Sequence, residues 1–143
     1  MVPVQAGPES PEPQLSLQVI FTDPERTRCA LLAAREFSRG LQAVITLVVA
    51  KIVPYPLSLD RPNVSQGFIE QNMLALVPDP EHETRVEVLY CRDRDVAIRQ
   101  ALLPKSVVLI GGRKSWWPGA DQKLARKLRH DGHRVVFVEQ PLI

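Results

Sequence analysis

Residues 106–138 constrain the fold more than any other stretch of the chain. An apolar run, Ser106–Ile110, reaches the paired glycines Gly111 and Gly112. A polar, basic loop follows, then an amphipathic segment that stops at Gly132, then a second apolar run, Arg134–Val138. A buried strand that ends in glycine and hands over to a helix is how open α/β sheets build their ligand crevice. The pattern predicts a fourth strand over Val107–Ile110 and a loop over Gly111–Gly119. A helix over Ala120–Asp131 and a fifth strand over His133–Val138 complete the stretch.

The same alternation runs upstream. Leu17–Thr22 is short and apolar, and Asp23-Pro24-Glu25 then reads as a helix start: a capping carboxylate, a proline at the first helical position and an acid at the positive end of the dipole. Ala30, Ala33, Ala34, Phe37 and Leu41 repeat at helical spacing, and Gly40 fits a C-terminal cap. Ala43–Val53 is apolar without alternation, which predicts a strand covered on both faces. Pro54, Pro56 and Pro62 enforce an irregular loop. Ser65 then opens a second helix with Phe68, Ile69, Met73, Leu74 and Val77 on its apolar face, ended by Pro78 and Pro80. Arg85–Cys91 alternates and reads as a half-buried edge strand. Asp95 precedes a third helix carrying Val96, Ile98, Ala101 and Leu102, which Pro104 stops.

Strands that alternate with helices demand a parallel sheet with crossover helices on both faces. Apolar density places strands one, two and four centrally and the alternating third strand at an edge. An open five-stranded parallel sheet of order 3-2-1-4-5 satisfies both. Its crevice then lies between strands one and four, lined by the Asp23 turn and the Gly111–Ser115 loop.

A chain of 143 residues with 45% apolar content suits one domain, expected over 15–143. Residues 1–14, with four prolines, are expected to form a flexible arm. The net charge of +2 predicts neither a nucleic-acid-seeking nor a membrane-seeking surface overall. Ala43–Ala50 is the longest apolar run and far short of the ~20 residues that span a bilayer. The N-terminus lacks the tripartite order of a signal peptide. Cys29 and Cys91 lie inside apolar patterns and read as buried free thiols in a reducing compartment. A cytoplasmic location is therefore expected.

Gly111, Gly112, Arg113, Lys114 and Ser115 combine glycines, two cations and a hydroxyl, suitable chemistry for an anion at a helix terminus, though the full P-loop spacing is absent. Asp23 has a sufficient job as a helix cap, and hydrogen bonding to a nucleoside is its alternative role. Of the adjacent Trp116 and Trp117, one is expected to pack under the loop, and either could stack a base or anchor a partner. Lys123, Arg126, Lys127 and His130 share one helical face, which reads as solvated, so nucleic acid is not an expected partner. His130, Asp131 and His133 straddle Gly132 and His82 is remote, so no metal-ligand spacing results. Neither CxxC nor GxSxG is present. A receiver domain would use Asp93 as phospho-acceptor, but Asp23 has only Glu25 as an acidic neighbour and no lysine ends the fifth strand.

In two segments the chain resembles the universal stress protein family: VIFTDPERTRCALLAA (19–34) and AIRQALLPKSVVLIG (97–111), the latter ending in VVLIG (107–111). The resemblance covers roughly Leu17–Glu139 and implies the same five-stranded α/β domain. ATP-binding members carry a glycine, two residues, a second glycine, nine residues, then glycine followed by serine or threonine. Laid from Gly111, those later positions hold Lys114, Leu124 and Ala125, so only the first glycine matches. The resemblance thus implies a non-enzymatic regulatory or stress-response protein without family-type ATP binding and with no required cofactor. ATP or another adenine nucleotide, held by Asp23 and Gly111–Ser115, is the alternative. Family members commonly dimerise through the last strand, which implies a homodimer through Arg134–Glu139 (RVVFVE), a β-rich edge.

Overall fold

The computed structural model describes residues 15–62, 64–78, 84–113 and 119–140. Nine elements follow one another: β1 (Leu15–Ile20), α1 (Pro24–Phe37), β2 (Ala43–Ile52), α2 (Gln66–Leu74), β3 (Thr84–Cys91), α3 (Arg94–Ala101), β4 (Val107–Arg113), α4 (Ala120–His130) and β5 (Arg134–Gln140). The five strands form one parallel sheet in the order β3-β2-β1-β4-β5, so the topology expected from the sequence is the one observed. The arm expected over residues 1–14 lies outside the described residues, as do Lys114, Ser115, Trp116, Trp117 and His82.

Alternation along the strands sorts the core into two layers. Leu17, Val19, Ile45, Leu47, Val49 and Leu109 face α1 and α2, where Ala30, Leu31, Ala34, Ile69, Met73 and Leu76 complete the packing. Ile20, Val48, Val108 and Ile110 face α3 and α4, against Ile98, Leu124, Ala125 and Leu128. The alanines of α1 let its backbone come close to β1 and β4. Helices thus cover both faces, two on each, and the Rossmann-like α/β class is established by this arrangement.

Local chemistry explains most element ends and corrects several expectations. The Asp23 carboxylate caps α1 by accepting from the Arg26 N–H at 2.9 Å, with Pro24 at the first helical position. At the other end of α1 the cap is Ser38, whose N–H donates to the Ala34 carbonyl; Gly40 follows it at φ +78°. α2 ends at Leu74 with Ala75 as its cap, not at Val77. Asp95, expected ahead of α3, lies in its first turn, and Asp93 is the cap: the Asp93 backbone is extended and its carboxylate accepts from the Val96 N–H at 3.0 Å. Gly132 follows α4 in the left-handed region at φ +99°, as its place after the amphipathic segment implies.

The largest correction concerns β4. The strand does not stop at Ile110; it runs through Gly111 and Gly112 to Arg113, paired with β5 as Gly111↔Val138, Gly112↔Glu139 and Arg113↔Gln140. β5 correspondingly extends two residues beyond Val138, and begins at Arg134 rather than His133. Both glycines are buried.

Candidate functional site

The carboxyl ends of β1 and β4 meet at the sheet's switch point, where open α/β sheets hold ligands. The turn after β1 is tied across this mouth. Thr22 donates its backbone N–H to Thr27 Oγ1 at 3.0 Å and its hydroxyl to the Gly111 carbonyl at 3.2 Å. The Asp23 turn and the double glycine therefore do share one mouth.

The glycines themselves are there for close approach. A Cβ at Gly111 would collide with the Arg26 backbone carbonyl in the first turn of α1, and one at Gly112 would enter the Phe137 ring. Gly111 lets the N-terminus of α1 sit directly on the sheet. Gly112 leaves room for an aromatic ring leaning across from the neighbouring strand. Both residues are paired along β5, and the strand ends only at Arg113.

A chain of alternating charges spans the N-termini of α1, α3 and α4 at this end. Arg26 Nε lies 3.0 Å from Asp23 Oδ2, and Arg26 Nη1 lies 3.8 Å from Asp121 Oδ2. Arg94 Nη1 donates to Asp121 Oδ1 at 2.9 Å, its Nε to Asp95 Oδ1 at 3.0 Å, and its Nη2 to the Ala120 carbonyl at 3.2 Å. Lys127 Nζ closes the series on Asp95 Oδ2 at 2.8 Å. Burial works against ionisation of Asp95, but hydrogen bonds from Lys127 and Arg94 outweigh it and hold the carboxyl below its ordinary value. For Arg94, partial burial is likewise outweighed by Asp121 and Asp95, which raise its pKa. Each acid sits in or before the first turn of its helix, where the dipole also favours it.

Beside this network lies a cavity of about 360 Å³ lined by Arg26, Arg113, Gly119, Ala120, Asp121, Gln122 and Phe137. It holds two guanidinium groups and the start of α4. The N-cap of α4 is Gly119, which has no side chain to cap the first-turn amides. Arg113 is exposed and, among the described residues, has no ion pair. Of the residues expected to hold a ligand, Asp23, Gly111, Gly112 and Arg113 gather at this end. Lys114 and Ser115 fall outside the described residues. Asp23 is committed to the α1 cap and to Arg26.

The remaining candidates have structural partners. Asp93 caps α3. His133 is buried, and its Nδ1 accepts the Ser106 N–H at 3.1 Å. Asp131 takes Arg99 in two contacts, at 2.7 and 2.8 Å, which hold its carboxyl below the usual range. Of the two cysteines expected to be buried, Cys91 is and Cys29 is only partly so; burial, with Asp93 nearby, pushes the Cys91 thiol up. Among the described residues no three His, Cys, Asp or Glu side chains gather as a metal site, and no helix is long and apolar enough to cross a membrane. The basic face of α4 keeps Lys123 and Arg126 exposed but gives Lys127 to Asp95.

Sequence reasoning missed Arg26, Arg94 and Asp121. The Asp23–Arg26 spacing of three carries a signal for the first pair. Nothing in the sequence signals that Arg94 meets an acid 27 positions later. Fold and mouth together define an open parallel α/β domain of Rossmann-like type. No protein-family model and no curated protein matches the chain.

Proposed function

We propose that this chain is a non-catalytic regulatory module of universal-stress-protein type that acts by association, pairing its last strand with a second copy. The contrast between the two sheet edges carries this reading. β3 presents the charged Arg85 and Glu87 on alternate positions, the usual guard of an edge strand. β5 carries four successive half-buried apolar residues, Val135, Val136, Phe137 and Val138. Among the described residues no strand covers its outer side. An unguarded apolar edge is a template for pairing, and two-fold symmetry makes a second copy its simplest partner. The mouth supports the non-catalytic part. Its carboxylates and guanidinium groups are largely engaged with one another, and its glycines serve packing.

Light scattering at micromolar concentration should return twice the chain mass of 16.1 kDa. Val138→Lys, which places a charge on the edge, should return a monomer of unchanged circular dichroism. A monomeric wild-type chain sinks the reading, and so does a dimer indifferent to that substitution.

A second reading rests on the cavity at the mouth: an anion, such as a nucleotide phosphate, between Arg26, Arg113 and the glycine-capped start of α4. A ligand at 100 times its Kd stabilises the fold by about 2.7 kcal/mol. Thermal unfolding with ATP, ADP, AMP and a cyclic nucleotide should then show one clear rise that Arg113→Ala removes. No rise at millimolar nucleotide ends this reading.

A further inference from the structure

A second cavity, of about 450 Å³, opens on the α1/α2 face of the sheet, between the carboxyl end of β2 and α2. Its lining is apolar almost throughout: Phe21 after β1, Val49 and Ile52 from β2, and Val64, Phe68, Ile69 and Met73 from the start and body of α2. Val64 is held in place by the Tyr90 hydroxyl, which donates to its carbonyl at 2.8 Å. The cavity is therefore bounded by fixed elements on three sides. Two polar side chains line it, Lys51 and Asn72.

Lys51 is the informative residue. It follows Val49 on the face turned to α2, where alternation places an apolar side chain in every earlier position of β2: Ile45, Leu47 and Val49. It is half-buried, no carboxylate lines the cavity, and among the described residues its ammonium has no ion pair. A cation at the rim of an apolar space with no carboxylate beside it can take an anionic partner there. Phe68 adds a second sign. It is 58% exposed although it stands at the edge of an apolar cavity that an occupant would close. Volume, apolar lining and a small number of convergent polar groups match the general form of a small-molecule site.

We propose that this cleft binds a linear aliphatic carboxylate, its tail against Val49, Ile69 and Met73 and its carboxylate on the Lys51 ammonium, with the Asn72 amide as second donor. The site is separate from the cavity at the mouth and does not depend on pairing through β5.

Calorimetric titration of the full chain with hexanoate, octanoate and decanoate tests the tail. Affinity should rise about three- to fourfold per methylene, as burial of each group requires. Lys51→Met tests the head: decanoate should bind about tenfold more weakly, while decanol, which lacks the charge, should bind both proteins alike. Backbone amide shifts at Phe68, Ile69 and Met73 should move on titration, and Phe68→Ala should weaken binding without altering the fold. Absence of saturable decanoate binding overturns the proposal. So does affinity indifferent to chain length, equal decanoate binding by Lys51→Met, or shifts confined to the mouth around Arg113.

Discussion

At Gly111 and Gly112 the same residue type solves two different contacts, and the contacts set different costs for a methyl group. The Gly111 neighbour is the backbone carbonyl of Arg26, fixed inside the first turn of α1. The Gly112 neighbour is the far end of the Phe137 ring, on a side chain that can swing. Overpacking costs about 1–3 kcal/mol, and a rigid neighbour places a site at the top of that range. Gly111→Ala should therefore destabilise by about 3 kcal/mol, because α1 must lift off the sheet. Gly112→Ala should cost about 1 kcal/mol, since the loss is partly offset by the better strand propensity of alanine. Adding Phe137→Leu to Gly112→Ala should recover stability, and adding it to Gly111→Ala should not. Urea unfolding of the four variants measures all of this, and equal costs at the two glycines would refute the assignment. From sequence alone a glycine pair after an apolar run reads as a turn. The residues that make it a packing device, Arg26 and Phe137, lie 85 and 25 positions away from the glycines they meet, so no local pattern carries the information.

The helices were more legible at their bodies than at their starts. Periodicity located all four, but Asp93 and Asp95 both precede apolar residues of α3, and either could cap it. The backbone decides: Asp93 is extended, at φ −132° and ψ 120°, while Asp95 is already helical and its carboxylate goes to Arg94 and Lys127. Asp93→Ala should cost about 1 kcal/mol and lower the melting temperature by about 4 °C, and Asp93→Ser should restore most of it. Comparable losses for alanine and serine would show that the carboxylate acts otherwise than as a cap. The strands show a related effect. β1 alternates Leu15, Ser16, Leu17, Gln18 and Val19 before Ile20, so its face toward α3 and α4 turns from polar to apolar partway along. α3 has only eight residues and covers the carboxyl half of that face. The amino half holds Ser16, Gln18, Thr46, Arg85 and Glu87 around an open groove that Ala101, at the end of α3, bounds. Short helix and polar strand starts are two expressions of one packing choice, visible in the sequence once the order of strands is known.

Across the whole molecule, apolar density fixed the strand order while the ionic chain at the carboxyl ends stayed invisible. All four helices start at this end because every crossover in a parallel sheet leaves from a strand's carboxyl end, so first-turn charges of α1, α3 and α4 converge from distant segments. Arg94 is the centre of that convergence, joining the starts of α3 and α4 through Asp121, Ala120 and Asp95. Its side chain is 25% exposed, so the pairs are neither fully screened nor fully buried. Arg94→Met keeps the aliphatic volume and leaves Asp121 with the longer Arg26 contact alone. A loss of about 1–2 kcal/mol is expected near neutral pH. The pH dependence separates an ionic cause from a packing cause. The Asp95 carboxyl is lowered in the folded state, so its contribution is complete above the ordinary aspartate value of about 4. That contribution fades as pH falls through the folded value, where the carboxylate finally takes a proton. The wild-type protein should thus lose stability on the acid side faster than Arg94→Met. The gap between them, measured by urea unfolding, should be widest near about pH 7 and narrow toward about pH 3. Parallel curves over that interval would mean that Arg94 contributes through its methylenes, and that the three helix starts are held by packing rather than by charge.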